Sequence, residues 1–111
     1  MIDTIILQDL MSGGWQKLSF EPFREGITAC WLLEGSPSIA VLKYEPGSKV
    51  PKHEHIGAEM IVVLEGAQSD ESGTYKRGDV IVNPAGSQHA VWSPEGCVVL
   101  LNWSKPVRFI D

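Results

Sequence analysis

The chain has 111 residues and a formal net charge of −5. That length points to one domain, large enough to bury a core without disulfide or metal staples, so a bound metal is expected to serve function rather than folding. The acidic balance, with no basic run longer than Lys76-Arg77, excludes attraction to a phosphate backbone, and no nucleic-acid partner is expected.

Residues 1–26 are the least regular and are expected to wrap the rest as edge strands and loops. From there, short β-branched runs recur: 27–33, 38–44, 59–64, 79–82, 89–92, 97–103 and a last one over 107–110. Gly and Pro punctuate them at Gly35-Ser36-Pro37, Pro46-Gly47, Gly66, Ser72-Gly73, Arg77-Gly78-Asp79, Pro84-Ala85-Gly86 and Pro94-Glu95-Gly96. Many short strands between such turns predict an all-β sandwich or barrel. Met60-Ile-Val-Val-Leu64 and Val98-Val-Leu-Leu101 are apolar on both faces. One face fills the barrel, and the other needs cover from a second sheet layer or another subunit; a homodimer is the expected assembly.

Cys30 and Cys97 are too few for a disulfide framework and are expected as reduced, partly buried thiols. The N-terminus has no basic segment and no cleavage site, and no apolar run approaches the ~20 residues of a membrane helix. A cytoplasmic protein with no membrane partner is expected.

The three histidines are His53, His55 and His89. His53 and His55 alternate on an extended segment, which turns both imidazoles to one face and Glu54 to the other. Glu59 follows four residues later, and Gly57 allows a bend that returns its carboxylate to the same centre. His89 opens a distant strand after the Asn83-Pro84-Ala85-Gly86 turn. Three imidazoles and a carboxylate make a mixed nitrogen–oxygen site that suits zinc, iron, manganese, nickel or copper. Val91 and Ser93 share the face of His89, and Met60 to Leu64 are expected to add lining. Such an apolar pocket suits a small, partly hydrophobic organic ligand. Trp31, Trp92, Trp103 and Tyr75 read as core or interface aromatics. Glu54 and Glu65 read as solvated charges, and Asp70 and Glu71 as decoration of a hairpin turn before Gly73. Cys97 should lie near Ser93, far from His89, and not as a ligand.

Gly47-x5-His53-x-His55-x3-Glu59-x6-Gly66 resembles the first cupin motif, and Gly78-x5-Pro84-x-Gly86-x2-His89 resembles the second. The second motif usually ends in Asn four residues after its histidine, where this chain has Ser93, a departure expected to touch pocket polarity more than metal binding. Further stretches sharpen the likeness: His53-x-His55-x-Gly57-x-Glu59, Val63-Leu-Glu-Gly66, Ser69-Asp-Glu-x-Gly73-x-Tyr75, Asn83-Pro-x-Gly-Ser87-x-His89 and Glu95-Gly-Cys97. Over roughly 27–103 the chain resembles the cupin domain of ChrR-type anti-sigma factors and their stand-alone relatives. The resemblance implies a single cupin domain over 1–111, a double-stranded β-helix or jelly-roll barrel. It also implies one divalent metal, often zinc, held by His53, His55, Glu59 and His89. ChrR-type proteins bind the sigma factor through a separate N-terminal domain with its own His/Cys zinc site. No His or Cys precedes Cys30 here, so anti-sigma activity is not expected of this chain alone.

Two functions follow as expectations. One is a metal-bound cupin that senses or binds a small organic ligand or oxidant. The other is a metal-dependent dioxygenase-type oxidoreductase, with iron, acting on a small organic substrate. A third, a barrel that mainly mediates association, leaves the intact metal motif unexplained.

Overall fold

A computed structural model of the chain describes residues 3–110. Ten strands follow two short 3-10 turns, Leu10–Ser12 and Gly14–Lys17: β1 (Glu21–Arg24), β2 (Ile27–Leu33), β3 (Ser38–Tyr44), β4 (Ser48–Glu54), β5 (Glu59–Asp70), β6 (Gly73–Lys76), β7 (Val80–Asn83), β8 (Gln88–Ser93), β9 (Cys97–Trp103) and β10 (Arg108–Phe109). The runs at 27–33, 38–44 and 97–103 coincide with strands. Three elements were not among the expected runs: β1, β4 and β6. β4 carries Lys49, Pro51, Lys52 and His53, too polar to stand out as an apolar run.

The strands pair antiparallel in the order β1-β2-β3-β9-β5-β8-β4-β10, with β6 and β7 also on β5. The long β5 makes the barrel. Its first half pairs with β7 and β9, and its second half with β6 and, at Ser69, with β8. Between the halves the β5–β9 register shifts at Val63/Glu65. Gly66 follows with φ 73°, and a Cβ there would lie 2.3 Å from the Gly96 carbonyl oxygen. Only glycine fits this corner, which accounts for the glycine closing the first motif.

The shift also changes which residues face inward. Ile61 and Val63 are buried inside before it; Gln68 lines the interior and Asp70 points to β8 after it. The interior core combines Ile27, Ala29, Ala40, Leu42, Tyr44, Ile61, Val63, Val91, Cys97, Val99 and Leu101. Burying such aliphatic side chains stabilises the fold by about 1.5–3 kcal/mol each.

The outer face of β3, β5 and β9 is covered differently from expectation. Leu10, Met11, Trp15, Leu18 and Phe20 pack on Val41, Leu64 and Val98. The chain's own N-terminal segment therefore supplies cover there, where a second sheet or another subunit was expected. Among the described residues no helix is long and apolar enough to cross a membrane. Both cysteines are free thiols, Cys97 buried and Cys30 half-buried.

Candidate metal centre

His53 and His89 face each other across the β4–β8 pair. Strict alternation from Val50 would turn His53 outward. Instead the register shifts between Val50 and His53, so that three steps on β4 match two on β8, from Val91 to His89. This bulge contains Pro51, which has no N–H to give to the ladder. It leaves both Val50 and His53 on the cavity wall.

His55 lies just beyond β4. Its backbone N–H donates to Ser87 O at 2.9 Å, and its carbonyl accepts from Gly86 N–H at 2.7 Å. The chain then bends at Ile56-Gly57 and enters β5 at Glu59. A Cβ on Gly57 would lie 2.0 Å from Ser104 Oγ and 3.2 Å from the Lys105 backbone nitrogen, so a larger residue there would have to displace the Ser104 hydroxyl.

The three imidazoles are buried and mutually edge-on, with ring centroids 4.7–5.1 Å apart. One ligand atom from each lies within 4.8 Å of the others. Their outer nitrogens are all engaged. His53 Nδ1 donates to Pro51 O at 2.9 Å, and His55 Nδ1 to Ser87 O at 3.1 Å. His89 Nδ1 donates to Asp70 Oδ2 at 3.0 Å. A carbonyl or carboxylate can only accept, so each partner calls for hydrogen on Nδ1, which leaves Nε2 as the atom each ring offers to a metal. The buried Nε2 of His89 has no hydrogen-bond partner, a costly condition that a cation would relieve. This donor set fits a divalent transition metal.

Glu59 stands beside His55, outside the group of three whose ligand atoms all lie within 4.8 Å of one another. Its Oε1 lies 3.1 Å from His55 Nε2 and accepts from Asn83 Nδ2 at 3.1 Å. Burial depresses the basicity of His55, but the Glu59 carboxylate outweighs it and the net shift is upward. For His53 burial dominates and the shift is downward, the neutral form that a ligand requires.

Sequence reasoning missed the support behind His89. Asp70 and Glu71 do flank a hairpin turn, since Asp70 pairs with Gly73. Yet Asp70 also accepts from Tyr75 Oη at 2.7 Å and from Ser72 N–H at 2.8 Å. Glu71 accepts from Ala90 N–H at 3.0 and 3.1 Å. Burial works to raise the Asp70 pKa, but hydrogen bonds from His89 and Tyr75 prevail and lower it. The sequence signal was present in the Ser69-Asp-Glu-x-Gly73-x-Tyr75 stretch, without a chemical role attached to it.

A cavity of about 350 Å³ opens onto the centre. His53, Glu59 and His89 line it, with Tyr44 and Gln68 part of its wall and Phe23, Trp31, Trp103 and Phe109 its aromatic surround. Burial raises the Tyr44 pKa well above the usual phenol range, and the charge of Arg24 works against that rise. Of the expected lining, Val91 and Ile61 are in place. Met60 is not: it is 39% exposed on the outer face. Ser93 is also away from the cavity; its buried hydroxyl donates to Ala67 O at 2.6 Å and ties β8 to β5. Its hydroxyl therefore bears on strand packing, and Ser93 lines a neighbouring pocket with Val50, Val91 and Arg24. Trp92 lies on the outside, beside Lys49 and Arg24.

The curled antiparallel barrel with inward histidines from both motifs defines a cupin. The sequence profile of the ChrR cupin-like domain matches residues 11–107, and the chain belongs to that family. It is 33% identical over 106 residues to the anti-sigma-E factor ChrR of Cereibacter sphaeroides, covering 93% of this chain and 50% of that protein. The chain thus spans about half the length of that relative. Among solved structures, the Rhodobacter sphaeroides SigE complex with anti-sigma ChrR superposes with a TM-score of 0.71 at 24% identity, over 79% of this chain and 49% of that one. An acetylacetone dioxygenase from Acinetobacter johnsonii superposes with a TM-score of 0.80 at 20% identity, over 100% of this chain and 79% of that one. At these identities the structures establish the fold.

Proposed function

We propose that residues 1–111 act as one cupin domain that holds a divalent metal with His53, His55, Glu59 and His89, and binds or senses a small organic ligand or oxidant beside it. One observation carries the reading. Three buried imidazoles converge within 4.8 Å, each held from behind through Nδ1. Glu59 as the fourth ligand rests on its 3.1 Å approach to His55 Nε2. Zinc or iron suits the set best, with manganese or nickel also compatible. A cytoplasmic setting agrees with two free thiols. A homodimer is supported by Met60, Val80 and Val82, exposed at 39%, 58% and 64% on adjoining strands.

The second reading is an iron-dependent dioxygenase-type oxidoreductase. The cavity that reaches His53 and His89 favours it, because a substrate has room beside the centre. Metal analysis combined with oxygen-electrode measurements separates the two. Zinc with no ligand-dependent oxygen uptake supports sensing or binding. Iron with uptake that depends on an added organic substrate supports the enzyme.

A further inference from the structure

The cavity carries one charged group that the proposed metal site does not use. Arg24, at the end of β1, is half-buried and lines the cavity together with Phe23 and Phe109. Its guanidinium carbon lies 4.5 Å from the centre of the Phe109 ring. That ring is in turn 5.9 Å from the His53 ring. Among the described residues the Arg24 side chain makes no ion pair and no hydrogen bond. Arg108, by contrast, pairs with Glu54 outside the barrel.

A guanidinium remains charged at any ordinary pH and presents five N–H donors in a planar fork. An aromatic face satisfies none of those donors, so a half-buried fork beside a cavity is a ready acceptor site for a carboxylate, which matches it bidentately. The rest of the surround is apolar. Phe23 meets Trp31 edge-on at 5.5 Å, and Trp31 meets Trp103 at 5.7 Å. Away from the metal centre, a second anionic group on the ligand would face bare aromatic walls, at a cost with no compensation. A neutral ligand would leave the fork unpaired.

We infer that the cavity takes a small apolar monocarboxylate, its body between the aromatic rings and its carboxylate on the Arg24 guanidinium. The inference rests on the proposed function in taking this cavity as the ligand site. The pairing with Arg24 itself does not require the metal.

The test uses benzoate, with benzamide as its uncharged counterpart, titrated calorimetrically into the full chain. Wild type, Arg24→Gln and Arg24→Lys are each measured metal-loaded and chelator-stripped, with metal content recorded for every sample. Benzoate is expected to bind wild type about tenfold more tightly than benzamide. Arg24→Gln is expected to remove that preference while leaving metal content unchanged. Arg24→Lys should be intermediate, because an ammonium keeps the charge and loses the fork. Binding of benzoate by Arg24→Gln at wild-type affinity overturns the inference, as does a wild type that does not prefer benzoate, including one that binds neither. Arg24-dependent benzoate binding in protein that takes up no metal sustains the inference while removing the metal reading.

Discussion

Asp70 Oδ2 lies 3.0 Å from His89 Nδ1, and the two residues come from strands that touch at a single ladder pair, Ser69 with Trp92. The contact exists because the β5 shift at Val63/Glu65 turns the even-numbered residues beyond it inward. Asp70 orients the ring of His89 and fixes its tautomer, the arrangement by which a carboxylate behind a histidine strengthens a metal site.

Asp70→Asn should therefore weaken metal affinity by about 10- to 100-fold without unfolding the barrel. Tyr75→Phe, which removes only the 2.7 Å hydrogen bond to Asp70, should have a smaller effect in the same direction. Competition against a chromophoric chelator measures both. Affinities equal to wild type for Asp70→Asn would remove Asp70 from the site.

The Gly66 corner allows a stability prediction. Gly66→Ala must place a Cβ 2.3 Å from a backbone carbonyl at φ 73°, and neither atom belongs to a flexible side chain. Destabilisation of about 3 kcal/mol or more is expected, read as a fall in the urea midpoint. Gly86→Ala, also at positive φ but with nothing within 4 Å of the added Cβ, should cost less, about 1 kcal/mol.

Leu64 tests the outer layer. It is buried beneath the segment carrying Trp15 and Leu18. Leu64→Ala should lower stability by about 2–4 kcal/mol and leave metal stoichiometry unchanged, since Leu64 faces away from the histidines. A thermal melt with parallel metal analysis checks both parts.

Burial pushes the Cys97 thiol up to about 11 from an ordinary 9.0, with Ser93 beside it working the other way. The folded state thus holds this proton more tightly than the unfolded chain. That contribution is full below pH 9 and is lost as the pH rises from about 9 to about 11. Denaturant melts across that window should show a falling stability that is shallower in Cys97→Ala. Identical slopes in the two proteins would contradict the assignment.

Much of the architecture could be read from the sequence because apolar strands announce themselves. β2, β3 and β9 carry mainly apolar runs that include β-branched residues, and the histidine and glycine spacing carried the likeness to a cupin. β4 escaped the expected runs because its polar residues face solvent and its one inward histidine sits past a bulge. Asp70 reads as turn decoration in the sequence because it lies beyond the apolar run 59–64 and next to Ser72-Gly73, whereas the strand continues to Asp70 and the register shift turns it inward. In both cases one extra residue in a strand reversed the faces, which a period of two cannot anticipate. That residues 1–26 wrap the rest was legible, but which face Leu10 to Phe20 cover was not, since these residues have no strand or helix periodicity of their own.

Elemental mass spectrometry on untagged wild-type protein and on His53→Ala tests the central claim most directly. The account predicts near-stoichiometric metal in the wild type and its loss in the variant, with the barrel still folded. A wild type that binds no metal after reconstitution with zinc, iron, manganese or nickel would contradict it, as would a His53→Ala variant that retains the full amount.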